Sequence, residues 1–436
     1  MRIENSKLRF FLPGIGIKRY ILMIIIGVLL VIYSVFLFLV TITQNENFLS
    51  NSLYIGKYLD TPLKNLIVEI IALLLILTSF ILIFFGISLL IKSITRALIP
   101  DKSDDEIMAM LFERKKDSLK KKIVNIGGGT GTTSVLEGLR GKFLKIAAVI
   151  TVADSGGSSG RLRAELSIPP PGDIRNCLIA LTEENSLARK ILSYRFKAQS
   201  SCFDGHNLGN ILIAGLTKIT GDFSDAVIKL AKLLNVEGVV MPFTKEEAVL
   251  CAEFEDGTVV EGESEITESF KKIKRVFLKD PQIKPYLPAL EYIKDADVIV
   301  LGPGSLFTSI IPPLLIPSIA DTIRYSKATV VFIVNAMTEH GETDDFKASD
   351  HVKEIVKILG ENVIDYAIVN TKQFSASSLE KYENSSSFPV EADLENIKKL
   401  NIKVITGDFA TERGGLIRHD PVSIGEIIMK IAYKKV

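Results

Sequence analysis

The sequence of 436 residues contains few of the residues that build metal sites and disulfide frameworks. Its three cysteines (Cys177, Cys202 and Cys251) include no C-x-x-C pair, which excludes a zinc ribbon or disulfide scaffold and is typical of a reducing compartment. The four histidines have no metal-ligand spacing, and no H-E-x-x-H motif is present. The sequence indicates no catalytic residue, which favours a binding protein over an enzyme.

Charge is absent from two long apolar stretches, residues 20–45 and 70–91. About 20 apolar residues in a helix, at a rise of about 1.5 Å each, cross the ~30 Å hydrocarbon layer of a membrane. We therefore predict two transmembrane helices, about residues 20–42 and 67–91, joined by a short external loop. A cleavable signal peptide does not explain a second span, so the remaining alternative is a pair of buried core helices.

The distribution of basic residues predicts the orientation of this hairpin. Residues 1–19 carry five Lys or Arg and residues 92–122 carry nine, whereas residues 46–65 carry two. Because basic loops stay in the cytoplasm, both termini and the large domain are expected there, with membrane lipid as a partner of residues 20–92. Beyond residue 122 the chain has 36 basic and 41 acidic residues, which argues against nucleic-acid binding.

The remaining sequence predicts one large α/β domain. After a basic tail (residues 1–19), the hairpin (20–92) and a charged connector (93–121), residues 122–436 contain short, continuously apolar strands that alternate with helices. This pattern predicts a doubly wound, Rossmann-like parallel sheet. A β-rich insertion, about residues 246–275, is predicted from a hairpin with an Asp256-Gly257 turn. The predicted sheet strands are residues 123–126, 146–152, 298–301, 329–334, 363–369 and 404–406.

A glycine-rich turn follows the first strand of this domain. Backbone N–H groups at such a strand-to-helix turn favour an anion, although a tight turn without a ligand is an alternative. The sixth position of the dinucleotide fingerprint is Thr132 instead of glycine, which disfavours an NAD oxidoreductase, and no G-K-[ST] follows to make a Walker loop. The candidate ligand-binding residues of the turn are Gly127, Gly128, Gly129, Thr130 and Gly131.

A second polar run follows the second strand, where ligands of parallel sheets bind. Its glycines and serines expose backbone and hydroxyl donors, and its arginines suit phosphate, although a flexible surface loop is the alternative. Asp154 could bind ribose hydroxyls or a divalent ion such as Mg²⁺. The candidates here are Asp154, Ser155, Gly156, Gly157, Ser158, Ser159 and Arg161.

Further polar loops follow other strands or precede helices. Asp173 is expected to be the N-cap of a helix whose first turn contains Asn176. A capping role alone would explain an aspartate at position 173. Because several such loops converge on one edge of a sheet, they predict a binding crevice. The other candidates are Asn207, Asn210, Gly302, Gly304, Ser305, Thr308 and Asn335.

These motifs resemble those of the gluconeogenesis factor family (YvcK-like), in the superfamily that includes 2-phospho-L-lactate transferase (CofD-like). The resemblance covers about residues 122–436 and rests on the blocks GGGTGTTSVLEGLR, TVADSGGSSGRLR, PPPGDIRNCLIAL, GHNLGN, ADVIVLGPGSLFTSIIP and NAMTEHGET.

The resemblance implies a regulatory protein that binds UDP-N-acetylglucosamine and supports cell-wall synthesis and cell shape during gluconeogenic growth. It implies that Tyr382 and Arg418 contact the ligand and that no cofactor is required. It also implies an unknown protein partner in cell-wall precursor synthesis and is compatible with a homo-oligomer.

The alternative function is a Mg²⁺-dependent transferase like the phospholactate enzymes, which use a guanine nucleotide donor and a deazaflavin acceptor. Such transfer needs carboxylates that hold metal ions. The transferases resemble one another in paired acids after the second strand, whereas this sequence has Asp154 followed by Ser155. Asp173 and Glu342 are the acids that could assist.

Overall fold

A computed structural model describes residues 17–42, 61–98, 106, 119–152, 157–197 and 203–434. The described residues belong to two compact units, one within residues 1–118 and one from Leu119 onward. The predicted external loop, most of the basic tail and most of the connector lie outside the described residues.

The first unit consists of two long apolar helices, α1 (Ile17–Ile42) and α2 (Thr61–Leu98). Both are long and apolar enough to cross a membrane, and they include the predicted spans. They pack through small residues: the hydroxyl of Ser34 donates to the carbonyl oxygen of Ala72 at 2.7 Å, and Gly27 lies against Ile83. Large side chains such as Phe80 and Phe84 remain exposed on the outer faces, as expected of helices that contact lipid.

The second unit is built on a seven-stranded parallel sheet in the order β10-β9-β8-β7-β1-β2-β3. This confirms the predicted Rossmann-like class. The strands of the described part are β1 (Lys121–Gly127), β2 (Leu144–Ile150), β3 (Val239–Pro242), β4 (Leu250–Phe254), β5 (Val259–Glu261), β6 (Ile273–Leu278), β7 (Val298–Leu301), β8 (Thr329–Ile333), β9 (Tyr366–Asn370), β10 (Lys403–Gly407), β11 (Ala410–Arg413) and β12 (Leu416–His419).

Helices cover both faces of this sheet, and its central strands therefore have continuously apolar sequences. All four residues of β7 are buried, for example. The helices of the second unit are α3 (Gly129–Leu139), α4 (Gly157–Leu166), α5 (Gly172–Ala180), α6 (Leu187–Ser193), α7 (Leu208–Thr220), α8 (Phe223–Leu233), α9 (Glu263–Glu268), α10 (Leu287–Lys294), α11 (Ile311–Leu314), α12 (Pro317–Arg324), α13 (Ala348–Leu359), α14 (Ala376–Glu383), α15 (Leu394–Lys398) and α16 (Pro421–Ala432). A π-helical turn, Leu306–Ile310, precedes α11.

The β-rich insertion is larger than the sequence predicts. The hairpin β4–β5 turns at Gly257, which has a φ of +81°, as the Asp-Gly pair indicates. A third strand, β6, pairs with the other edge of β4 and extends the insertion to Leu278. The sequence analysis also missed β3, at the edge of the main sheet, and the hairpin β11–β12.

One close helix contact depends on glycine. In α3, Gly138 lies so near the backbone of Pro421 and Gly425 of α16 that a Cβ atom at position 138 would collide with the Pro421 carbonyl oxygen. Because the obstacle is backbone, it cannot move aside as a side chain would.

We expect Gly138→Ala to lower the free energy of unfolding by about 1–3 kcal/mol, because it overpacks this contact. The matched control is Gly215→Ala in α7, where nothing lies within 4 Å of an added Cβ. Replacement of this helical glycine should stabilise the protein by about 0.5–1 kcal/mol. Urea unfolding of both variants measures the difference, and equal effects would show that the α3–α16 contact tolerates a methyl group.

Candidate functional site

A cavity of about 640 Å³ lies at the carboxyl ends of β1, β7 and β8. Its wall comes from the start of α3, the start of α5, the loops after β7 and β8, helix α14 and the hairpin β11–β12. Segments that are far apart in sequence therefore meet here. The predicted residues that line the cavity are Gly129, Thr130, Gly131, Asp173, Asn176, Gly304, Ser305, Asn335, Tyr382 and Arg418.

The glycine turn brings bare backbone to the cavity. Helix α3 begins at Gly129, within the predicted glycine turn, and its N-cap Gly128 has no side chain to cap it. Gly129 lies against the carboxyl group of Asp173, and Gly131 lies against the carbonyl oxygen of Pro303, so no side chain fits at either position. The first-turn N–H groups of an uncapped helix attract an anion.

Asp173 is not the N-cap that the sequence predicts. Helix α5 begins at Gly172 and its N-cap is Pro171, which places Asp173 in the first turn, with its carboxyl group toward Gly129. The neighbouring Asn176 also lines the cavity, and its amide oxygen accepts a hydrogen bond from Arg175 at 2.7 Å. The start of α5 thus contributes carboxyl and amide groups instead of a cap.

The loops after β7 and β8 are joined by polar contacts. The N–H of Gly304 donates to the Asn335 side-chain oxygen at 3.3 Å. Thr308 donates to Glu342 at 2.8 Å and does not line the cavity, so its predicted role in ligand binding has no support in its position. Gly302, with a φ of +75°, turns the chain below the cavity wall.

Two glutamates lie in the loop after β8: Glu342 is buried and Glu339 is partly buried. Burial and the neighbouring Glu339 raise the pKa of Glu342 to about 8, although its carboxyl group accepts hydrogen bonds from the Phe307 N–H and the Thr308 hydroxyl. Burial also raises the pKa of Glu339, which lines the cavity. The sequence analysis missed Glu339 because only tertiary structure reveals its burial.

Tyr382 forms hydrogen bonds with strand β12, which belongs to the wall of the cavity opposite α3. The Tyr382 hydroxyl accepts from the Ile417 N–H at 2.9 Å and donates to the Ile417 carbonyl oxygen at 3.1 Å. It thereby fixes β12, which carries Arg418 at the cavity. The next residue, His419, is buried, and this burial lowers its pKa to about 4, so its ring is neutral at pH 7.

Other candidates lie away from this cavity. Ser158 accepts from the Asn210 amide at 3.2 Å and lies 3.0 Å from Nδ1 of His206, which joins α4 to α7. The wall of the cavity likewise does not include Ser159, which is buried, or Asn207, the N-cap of α7. It does not include Arg161 either, which donates to the carbonyl oxygen of Asp204. The candidates Asp154, Ser155 and Gly156 lie outside the described residues, and Gly157 begins α4. Gly127 and Gly128 precede the lining residues of the turn.

The run Gly-Gly-Ser-Ser-Gly around Ser158 has the G-x-S-x-G spacing of a nucleophile elbow. Its setting differs from an elbow, because Ser158 is the second residue of α4 and lies eight positions after the end of β2. Ser158 is only 8% exposed. Its contacts therefore fit an interhelical hydrogen bond better than a catalytic serine.

Two other kinds of site can be compared with this cavity: a metal cluster and a second cavity. Within the described residues, no group of three or more His, Cys, Asp or Glu side chains is placed to hold a metal ion. Another cavity, of about 460 Å³, lies between α4 and residues 245–248, but its Arg163 is paired with Glu247 at 2.6 Å. The larger cavity has the uncapped helix start and the greater number of predicted residues.

Comparison with known proteins identifies the family. A sequence model of the 2-phospho-L-lactate transferase CofD family matches residues 123–410. A gluconeogenesis factor of Halalkalibacterium halodurans is 45% identical over 311 residues, which cover 71% of this chain and 96% of the relative. The chain belongs to the gluconeogenesis factor family. A crystal structure of a UPF0052 family member from Bacillus halodurans has a TM-score of 0.69 and 44% identity, covering 71% of this chain and all of that one.

Some family members also match the N-terminal part of this chain. A putative gluconeogenesis factor of Nostoc is 38% identical over 429 residues, which cover 98% of this chain and 92% of the relative. One from Clostridium acetobutylicum is 35% identical over 431 residues. Relatives of the family thus match either most of the chain or about 71% of it, and the resemblance to the superfamily is confirmed.

We expect Tyr382→Phe to loosen the hairpin β11–β12, because it removes both hydrogen bonds to Ile417. Loss of a satisfied, part-buried bond costs about 1–2 kcal/mol, so exchange of the Ile417 amide hydrogen should accelerate about tenfold. The control is Tyr325→Phe, whose side chain is 79% exposed. Unchanged protection of Ile417 would show that the hairpin is held by other contacts.

Proposed function

We propose that this protein is a membrane-anchored regulator that binds a UDP-sugar, UDP-N-acetylglucosamine being the expected ligand. The single observation that carries the proposal is the cavity in which the uncapped start of α3 and Arg418 line one space. Backbone N–H groups and a guanidinium group are the usual partners of a pyrophosphate. The ring of Tyr382, whose hydroxyl is held by Ile417, offers an aromatic surface to a base.

A regulator is favoured over an enzyme because the sequence has no evident nucleophile and has one acid, Asp154, where the transferases have paired acids. The hydroxyl groups of Ser305 and Ser309 line the cavity and suit hydrogen bonds to a sugar. Mg²⁺ could accompany the ligand, with Asp154 as the candidate contact. The proposal includes a role in cell-wall synthesis and cell shape during gluconeogenic growth, through an unknown protein partner, and allows a homo-oligomer.

A transferase is the second candidate, because the matching family model is described as a phospholactate transferase and Asp173 lines the cavity. Phosphoryl-type transfer requires acids that hold a metal ion against growing negative charge. Such an enzyme would bind GDP with Mg²⁺ in preference to a UDP-sugar, so ligand preference separates the two candidates.

We expect UDP-N-acetylglucosamine to raise the melting temperature of the detergent-solubilised chain by several degrees. Ligand at about 100 times Kd stabilises by about 2.7 kcal/mol. Arg418→Ala should abolish this shift, whereas Arg413→Ala, on the same hairpin and with a side chain 67% exposed, should retain it. A shift with GDP and Mg²⁺ but none with UDP-N-acetylglucosamine would favour the transferase.

For the membrane part, we propose two spans, formed by α1 and α2, with both termini and the second unit in the cytoplasm. Basic residues flanking the apolar stretches support this orientation. Protease added to inside-out vesicles should degrade the second unit, and protease added to right-side-out vesicles should leave it intact. Degradation only from the outer side would contradict the orientation.

A further inference from the structure

The side chain of Arg175 joins the cavity wall to a polar motif that lies behind it. In the described part of the chain the wall includes Asn176 but not Arg175, whose side chain is part-buried. Nη2 of Arg175 donates to the amide oxygen Oδ1 of Asn176 at 2.7 Å. A residue outside the wall therefore contacts the polar group of a residue within it.

This contact decides which end of the Asn176 amide is left for the cavity. The oxygen of an asparagine amide accepts hydrogen bonds, and its nitrogen donates them. Because a guanidinium group has donors and no acceptor, it binds Oδ1 and not Nδ2. The arginine thereby orients the amide so that its donor end, Nδ2, remains for a ligand.

Two residues at the start of α7 hold Arg175 in place. With its amide oxygen facing the arginines, the buried Asn207 accepts from Nη1 of Arg175 and, at 3.2 Å, from Nη2 of Arg195. The aliphatic part of Arg175 packs on Gly209, where an added Cβ would lie 3.0 Å from its Cγ and Cδ. The guanidinium group is thus fixed before any ligand binds, with one nitrogen on Asn207 and another on Asn176.

The donor end of Asn176 lies near the place proposed for the phosphates. Asp173, one helical turn before Asn176 in α5, lies against Gly129 at the start of α3. Residues three apart in a helix share a face, so Asn176 is on the side of α5 that meets α3. Both Asn176 and Gly129 line the cavity. A phosphate oxygen at the start of α3 is therefore the ligand atom that Nδ2 of Asn176 suits.

We propose that Arg175 is a positioning residue of the ligand site, which holds the Asn176 amide so that Nδ2 donates to a phosphate oxygen of the ligand. This inference rests on the proposed function, because it requires a phosphate-bearing ligand. Asn207 then serves the site indirectly, by holding Arg175. Without Arg175 the amide can turn over and present Oδ1, whose partial negative charge repels a phosphate.

A positive charge near the cavity is a different explanation for an effect of Arg175, because it attracts an anion without any contact through Asn176. The two explanations differ in how positions 175 and 176 depend on each other. A positioning residue has no effect once the side chain that it positions has been removed. A charge acts whether or not that side chain is present.

The test is a double-mutant cycle on the dissociation constant for UDP-N-acetylglucosamine, measured by calorimetry with the full chain in detergent. Arg175→Met should weaken binding about tenfold, as loss of a hydrogen bond to a charged partner does. In the Asn176→Ala background the same substitution should change the dissociation constant by less than about twofold, which is the size of ordinary deviations from additivity.

Two further variants separate position from charge. Arg175→Lys keeps the charge but lacks the planar fork that contacts Asn207 and Asn176 together, so we expect binding about as weak as in Arg175→Met. Asn176→Asp keeps an acceptor for Arg175 and places a carboxylate oxygen where Nδ2 was, so it should weaken binding at least as much as Asn176→Ala. Because Asn176→Asp leaves Arg175 in place, it tests the donor role even if Arg175→Met disturbs folding.

The matched control is Arg189→Met, which also removes a part-buried arginine that donates to one side chain. Nη2 of Arg189 donates to Glu137 of α3 at 2.7 Å, and neither residue lines the cavity. We expect this variant to have a lower melting temperature without ligand and a dissociation constant within about twofold of the unsubstituted protein. The same melting measurement on each variant at positions 175 and 176 shows whether it folds.

Three results would overturn the inference. Equal losses from Arg175→Met in both backgrounds, or full binding by Arg175→Lys, would show that Arg175 acts through its charge. Full binding by Asn176→Asp would show that the ligand needs no donor at position 176. Absence of binding by the unsubstituted protein is a separate outcome, which would contradict the proposed function itself and remove this inference with it.

Discussion

The close approach of two glycine turns is the constraint on which the candidate site depends. Strands β1 and β7 are neighbours in the sheet, and the buried amide of Asn125 joins them by donating to the carbonyl oxygens of Val300 and Gly302. The turns that follow β1 and β7 therefore lie in contact, with Gly131 against the backbone of Pro303. Since no side chain fits between them, the backbone of the first turn of α3 lines the cavity, where the carboxyl group of Asp173 lies against Gly129.

The opposite wall of the cavity is attached quite differently. The hairpin β11–β12 forms a sheet of its own, separate from the seven-stranded one. It is tied to α14 by the hydrogen bonds of Tyr382 and by Glu412, whose pKa is lowered to about 2 by hydrogen bonds from Ser375 and Ser378. One wall is therefore anchored in the main core, and the other is held by these polar contacts and by a small separate apolar cluster that includes Met337, Ala410 and Ile417. Such an element opens more readily than core strands do.

The sequence predicts the centre of the fold better than its edges, for a physical reason. Strand β7 is predicted residue for residue because a strand buried on both faces must be apolar throughout. Strand β3 ends in proline at the edge of the sheet, and in the hairpin only β12 alternates exposed and buried positions, over too short a run to be distinctive. The glycine turns were predictable because their signal is local. The place of Glu339 in the cavity wall was not predictable, because its partial burial is created by segments that are distant in sequence.

The candidates that lie away from the cavity show the same limit at the level of side chains. Ser158 and Asn210 are polar residues near helix starts, which made them candidates for ligand binding, yet they bond to each other. A polar side chain in a motif must satisfy its hydrogen-bonding groups somewhere, and sequence alone does not tell whether the partner is a ligand or the protein. In the cavity wall, Arg418 and the start of α3 are the groups that attract an anion, whereas the His419 ring is neutral because burial lowers its pKa to about 4.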